Sequence, residues 1–134
     1  MKSNKKTIFF IEDDPAIIDV YSTAFKAAGI NFEVIVWGKQ AIEKIKEVQY
    51  GKAEKPCLVL LDLILPDING IEILKEIKEN EKTKDITVFV LSNYTDDKFL
   101  QTDTDGIKPD KFILKTSITP TELVKLIQEQ FKIK

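Results

Sequence analysis

Two short stretches constrain this chain more than anything else in it. Leu58-Val59-Leu60-Leu61 and Ile86-Thr87-Val88-Phe89-Val90-Leu91 are almost unbroken apolar runs, four and six residues long. Runs of that length, rich in branched side chains, mark strands buried on both faces, as in a parallel sheet covered by helices on each side. Segments of helical spacing stand between such runs. Thr7 to Ile11 is a first strand candidate. Pro15 to Ala28 follows as a helix, with Ile17, Tyr21, Ala24 and Ala28 on one face and Ile18 and Phe25 beside them. Asp14 ahead of Pro15 is a suitable N-cap, and Gly29 marks the helix end. Phe32 to Trp37 reads as the second strand, and Ala41, Ile45 and Val48 stripe a helix as far as Gly51. After the 58–61 run, a helix from about Ile71 turns Ile73, Leu74 and Ile77 inward. Ile86 to Leu91 is the fourth strand and Lys111 to Leu114 the fifth. The last helix, Thr121 to Phe131, carries Leu123, Ile127 and Phe131 at helical spacing.

Five strand-then-helix cycles predict an α/β fold, a (βα)5 unit with a doubly wound, parallel five-stranded sheet. Crossovers are right-handed, so connections all running one way would leave one face of the sheet bare. A reversal after the first strand covers both faces and gives the order 2-1-3-4-5, with a crevice at the carboxyl ends of strands 1 and 3. The 134 residues suit one domain, spanning 1–134, with the basic start 1–6 expected to be flexible.

Two absences narrow the chemistry. The chain has no histidine, and all 20 basic residues are lysine. Ser-His-Asp and Cys-His nucleophile systems, imidazole metal sites and arginine clamps are therefore excluded. A net charge of -2 offers no broad positive field, so direct nucleic-acid binding is not expected. Cys57 is alone, so no internal disulfide forms. Ile8-Phe9-Phe10-Ile11 is too short for a signal peptide, and no run approaches a membrane span. These features lead to the expectation of a soluble, cytoplasmic chain with no membrane insertion.

The predicted strand ends carry the polar chemistry. Strand 1 ends in Glu12-Asp13-Asp14, adjacent acids whose repulsion a cation would offset, although Asp14 also reads simply as a cap. Strand 3 ends in Asp62, flanked by apolar residues; such a carboxylate should be paired, cation-bound or reactive, or else bonded to a helix N-terminus. Strand 4 ends in Ser92 and strand 5 in Lys115, neither distinctive alone. Together these groups suit phosphoryl transfer. A hard Mg²⁺ takes carboxylate and phosphate oxygens, an aspartate can act as covalent nucleophile, and lysine and hydroxyl can hold the remaining oxygens.

Taken in order, Ile11-Glu12-Asp13-Asp14-Pro15, Leu61-Asp62-Leu63-Ile64-Leu65-Pro66 with Gly70, Val90-Leu91-Ser92 and Phe112-Ile113-Leu114-Lys115 make the chain similar to the receiver domain of bacterial two-component response regulators, a flavodoxin-like fold. The resemblance covers nearly the whole chain, and its stand-alone form is like the single-domain chemotaxis regulators. It implies that Asp62 is the phosphoacceptor and that Mg²⁺ (or Mn²⁺) is held by Glu12, Asp13, Asp62 and the backbone carbonyl of Ile64. It further implies that Lys115 pairs with the acceptor and then with the phosphate, while Ser92 and Phe112 act as the switch residues. The implied phosphoryl source is a phosphohistidine on a sensor histidine kinase or a histidine phosphotransfer protein, necessarily in trans for a chain without histidine. A downstream protein partner would read the change, and a homodimer is a candidate assembly. No effector domain is expected beyond the last helix candidate, and the output is expected to run through a partner.

The sequence departs from the family pattern at several places. Thr116 follows Lys115 where a proline after a cis peptide is common, so a trans bond is expected. Asn93 follows Ser92 where alanine or glycine is usual, which would narrow access to the site. Thr95 to Gly106 is rich in poor helix formers and predicts a short or distorted helix. Two other readings compete with the receiver. A protein-binding module of receiver type would take no phosphate. A phosphohydrolase of the haloacid dehalogenase type needs a second aspartate two residues after the nucleophile, where Ile64 stands. Ile64 and Tyr94 occupy positions that tune dephosphorylation in the family, and neither is suited to align a hydrolytic water. A long-lived phosphoform is therefore expected; a phosphate half-life of seconds in purified protein would refute it.

Overall fold

The apolar runs become the central strands of one parallel sheet. In the structure, a computed structural model that describes residues 6–93 and 106–131, the strands are β1 (Thr7–Ile11), β2 (Asn31–Ile35), β3 (Leu58–Leu61), β4 (Thr87–Ser92) and β5 (Lys111–Leu114). All pairings are parallel and the order is β2-β1-β3-β4-β5, as the crossover argument requires. The helices among the described residues are α1 (Pro15–Ala27), α2 (Gly38–Gln49), α3 (Gly70–Lys78) and α4 (Pro120–Phe131), with a 3-10 turn at Lys115–Ser117.

Strand alternation divides the apolar residues between two cores. Phe9, Ile11, Val59, Leu61, Val88 and Val90 point to the face covered by α2 and α3, where Ala41, Ile45, Ile73, Leu74 and Ile77 meet them. Ile8, Phe10, Leu58, Leu60, Phe89 and Leu91 point to the other face, against Tyr21 and Phe25 of α1 and Leu123 and Ile127 of α4. Phe25 sits edge-on to both Phe10 and Phe32, at centroid distances of 5.7 and 5.4 Å, a geometry that adds to simple burial. Each helix stripe read from the sequence is thus the stripe that packs. Lys6, just ahead of β1, lies 5.8 Å over the ring of Phe131 at the end of α4.

Some boundaries differ from expectation. The strand predicted to reach Trp37 stops at Ile35, and Trp37 is the N-cap position of α2, half-exposed and without a side-chain cap bond. The apolar run Val34 to Trp37 continues past the point where pairing to β1 ends, so hydrophobicity alone overextends the strand. Helix α2 starts before its stripe because the amides of Gly38 and Lys39 are satisfied by Asp67. The helix expected within Thr95 to Gly106 lies outside the described residues, apart from Gly106, whose φ is +83°. No cis peptide occurs among the described residues, so the Lys115–Thr116 bond is trans as expected.

Gly70 opens α3 at the tightest place in the fold. A Cβ there would lie 2.6 Å from both the carbonyl oxygen of Asp62 and the Cα of Leu63. Neither backbone atom can move without moving Asp62. Gly29 is the contrasting case, with a φ of +72° and open space around it. Gly70→Ala should cost about 1–3 kcal/mol by overpacking, read as a lower denaturation midpoint. Gly29→Ala should cost about 1 kcal/mol from conformation alone and leave the Asp62 region unaltered. Equal losses, with no change around Asp62 in amide exchange, would show that the contact is not what requires Gly70.

Candidate functional site

The carboxyl edge of the sheet gathers its polar groups from the ends of three strands, β1, β3 and β5. β1 pairing runs one residue past the strand, with the Glu12 amide donating to the Ile35 carbonyl at 3.1 Å, and this leaves Glu12 only 1% exposed. The Asp62 amide donates to Ile11 at 3.0 Å, so Asp62 emerges beside it at 7% exposure. β5 delivers Lys115, whose backbone enters the 3-10 turn while the Ser117 hydroxyl donates to the Leu114 carbonyl at 2.9 Å.

These three side chains converge. Lys115 Nζ lies 2.8 Å from Glu12 Oε1 and donates to Asp62 Oδ2 at 3.1 Å. The other oxygen of Asp62 accepts from the Ile64 amide at 3.0 Å. The two Asp62 oxygens are thus held separately, one by an ammonium and one by a backbone dipole. Glu12 Oε2 accepts from the Asp14 amide at 3.2 Å. Glu12 Oε1 meets the ammonium by distance but receives no well-directed hydrogen bond among the described residues; the ion pair is its compensation. Asp13 completes the group, since Glu12, Asp13 and Asp62 each present an oxygen within 4.8 Å of the others. A cavity of about 220 Å³ opens onto them, with Ile64, Asn93 and Lys115 in its walls.

The charge balance is unfavourable without a further cation. Burial pushes the Glu12 carboxyl up to about 7; the Lys115 ammonium opposes the rise and the Asp62 carboxylate adds to it. Burial likewise pulls Lys115 down, but Glu12 and Asp62 outweigh it and hold the ammonium above its ordinary value. Three carboxylates around one ammonium form a hard-oxygen set of the kind that Mg²⁺ or Mn²⁺ occupies, so the residues fit such an ion.

The remaining sequence candidates lie around this centre. Ser92 ends β4, 2% exposed, in register with Leu114 just before Lys115. Phe112, in register with Val90, packs from β5 against the core beneath α2 and α3. The Ile64 side chain is 47% exposed at the cavity mouth, and Asn93 lines the wall it was expected to crowd. Asp14, which also borders the cavity, caps α1 by accepting from Ala16 at 2.9 Å. Two features had no signal in the sequence: the pairing of Lys115 with Glu12 as well as Asp62, and the grip of the Ile64 amide on Asp62.

Such a strand-end set on a doubly wound sheet defines an α/β domain with an acidic crevice at its carboxyl edge. The sequence profile of the response regulator receiver domain matches residues 8–128, and the chain belongs to that family, a receiver domain of two-component signalling. The response regulator Rcp1 of Synechocystis sp. is 36% identical over 90 residues, 65% of this chain and 61% of that protein. Among solved structures, the phosphorylated cyanobacterial phytochrome response regulator RcpA superposes with a TM-score of 0.79 at 27% identity, covering 96% of this chain and 95% of that one. The Mn²⁺-bound form of Rcp1 also gives 0.79, at 24% identity and 94% coverage of each. Among the curated relatives it matches, the chain spans 33% of one, 62% of a second and 53% of a third. No helix among the described residues is long and apolar enough to cross a membrane.

In cation-free protein, the folded state holds the Glu12 carboxyl at about 7 against an ordinary 4.5, so folding favours its protonated form. This group therefore works against stability increasingly as pH rises from the unfolded value through the folded one, and fully above it. Glu12→Gln should melt several degrees above wild type in EDTA at about pH 8, with the gap closing toward about pH 5. A gap independent of pH would show that Glu12 carries no such penalty.

Proposed function

We propose that this receiver domain accepts a phosphoryl group on Asp62 from a phosphohistidine, supplied in trans by a sensor histidine kinase or a histidine phosphotransfer protein, and then presents an altered surface to a protein partner. The observation that carries this reading is the Asp62 carboxylate itself, buried at a strand end, oriented by the Ile64 amide and Lys115, and facing a cavity beside two further carboxylates.

Mg²⁺ or Mn²⁺ would be held by Glu12, Asp13, Asp62 and the backbone carbonyl of Ile64. When bound, the cation would supply positive charge against the oxygens of an incoming phosphoryl group. Receivers are signalling modules rather than enzymes acting on other substrates, and the chain's own residues perform the remaining work. Asp62 attacks phosphorus, the P–N bond of the donor breaks, and its electron pair leaves with the imidazole, which takes up a proton. Lys115 offsets charge on the phosphoryl oxygens, and the Ser92 hydroxyl moves to donate to one of them. That inward movement vacates space which Phe112 follows, so the outer face of β5 changes shape. The manganese named for Rcp1 and the phosphorylated state named for RcpA support the cation and the modification respectively. The rival phosphohydrolase lacks its second carboxylate, because Ile64 stands at that position and its apolar side chain faces out.

Incubation with acetyl phosphate and Mg²⁺, followed by intact mass measurement, should show a single phosphate adduct that is absent in Asp62→Ala and absent in EDTA. No adduct on the wild type would favour the binding module. Sustained release of phosphate from small esters would favour the hydrolase.

A further inference from the structure

Helix α2 begins without a cap of its own. Its N-cap residue is Trp37, no side chain of the first turn is acidic, and yet its first amides are not left to solvent. Asp67 reaches across from the turn that follows β3. Its Oδ1 accepts from Gly38 at 2.8 Å and its Oδ2 from Lys39 at 2.9 Å, residues 29 and 28 positions away in the chain. The neighbouring Ile68 seals the same contact, since a Cβ on Gly38 would lie 2.3 Å from its Cγ1. A carboxylate at the positive end of a helix is favourably placed; the Lys39 and Gly38 amides hold the Asp67 carboxyl below the usual carboxylate range.

The other end of this turn reaches the acidic centre. Ile64 and Asn69 form an antiparallel bridge, and Gly70 donates to the Leu63 carbonyl at 2.8 Å, which closes the base of the turn. Asn69 then caps α3 through the Ile71 amide at 2.9 Å. The bridge thus links Ile64 to the segment that carries Asp67. Ile64 is the residue whose amide holds Asp62 Oδ1 at 3.0 Å. A hollow of about 410 Å³ runs along residues 63–69, so an untied turn has room to shift.

We infer that Asp67 is a positioning residue for the cation and phosphoryl chemistry at Asp62: by fastening the 63–69 turn to the N-terminus of α2, it fixes the Ile64 peptide against the Asp62 carboxylate. The inference rests on the proposed function for its chemistry, because the Ile64 carbonyl is there a cation ligand. Its stated mode of action is pre-organisation. A free turn must be ordered when the cation binds, so affinity falls while the carboxylates remain unchanged.

The test is Mg²⁺ binding by isothermal titration calorimetry on wild type, Asp67→Ala, Asp67→Asn and Gly38→Ala, beside thermal melts in EDTA. Asp67→Ala should weaken Mg²⁺ binding about tenfold, the scale seen when residues supporting a metal ligand are removed. Asp67→Asn keeps one carbonyl acceptor and should fall between it and the wild type. Gly38→Ala pushes on Ile68 from the opposite side and should weaken binding without touching any acid. If Asp67→Ala does not fold, the other two variants decide. Lower melting temperatures with Mg²⁺ affinity unchanged to within about twofold would reduce Asp67 to a structural cap and overturn the inference, as would a wild type that binds no Mg²⁺. A wild type that binds Mg²⁺ but takes no phosphate from acetyl phosphate would overturn only the phosphoacceptor reading, and the calorimetry would still judge Asp67.

Discussion

A single buried ammonium shared by two buried carboxylates is the contact on which the rest of this domain depends. The Lys115 side chain is 6% exposed and stands 2.8 Å from Glu12 and 3.1 Å from Asp62. Withdrawing these charges from water costs several kcal/mol for each ion, and one ammonium cannot offset two carboxylates and the nearby Asp13. The excess negative charge is the source of the raised Glu12 carboxyl and of the fit to a hard cation. The fold has to meet its geometric demand. The ends of β1, β3 and β5 must come into reach of one another, and the order β2-β1-β3-β4-β5 achieves this although β5 is not paired to either of the other two. The length of lysine spans the gap that the intervening β4 leaves.

The same edge of the sheet is where the helices among the described residues begin, and the way these N-termini are satisfied sorts the acids into two groups. Asp14 caps α1, Asp67 caps α2 and Asn69 caps α3. Thr119 and Glu122 cap α4 reciprocally, with the Thr119 amide donating to Glu122 at 2.8 Å and the Glu122 amide to Thr119 at 3.1 Å. The helix ends that would otherwise attract an anion are thus occupied by the chain's own side chains. Glu12, Asp13 and Asp62 are the carboxylates left to gather around Lys115. Adjacent residues therefore differ in role for a physical reason: the Asp14 carboxylate is committed to the first amides of α1, whereas Asp13 presents an oxygen to Glu12 and Asp62.

This sorting marks the boundary of what the sequence could disclose. Buried strands in a parallel sheet are legible because they are apolar on both faces, and Leu58–Leu61 was bounded to the residue. The helix stripes were legible because 3.6-residue spacing is a local property. The start of α2 was not legible because its cap comes from Asp67, 28 and 29 positions away, and no local pattern records a partner at that distance. Asp62 stood out because it closes an apolar strand with a charge, whereas Glu12 and Lys115 became candidates only together with the other strand ends. Which of them meets which depended on side-chain reach and burial, and the Glu12–Lys115 contact, the shortest of the site's ion pairs, had no signature in the chain. The grip of Ile64 on Asp62 is a backbone contact and is invisible to any reading of side chains.

Within the proposed reaction, that unforeseen pair determines how the domain would respond. Phosphorylation converts the Asp62 carboxylate into an acyl phosphate, so the negative charge moves outward from Asp62 Oδ2, which Lys115 now contacts. If Asp62 were its only partner, the ammonium would have to follow the phosphoryl group or be left buried and unpaired. Glu12 removes that choice. It is the deeper of the two carboxylates and the nearer to Nζ, and it keeps Lys115 tied to β1 throughout. The lysine stem then serves as a fixed strut between β1 and β5 while its ammonium adds a phosphoryl oxygen to its contacts. Motion is left to the groups the strut does not hold, namely the Ser92 hydroxyl and the Phe112 ring. A pair that looks redundant in the resting site would thereby set which part of the domain moves.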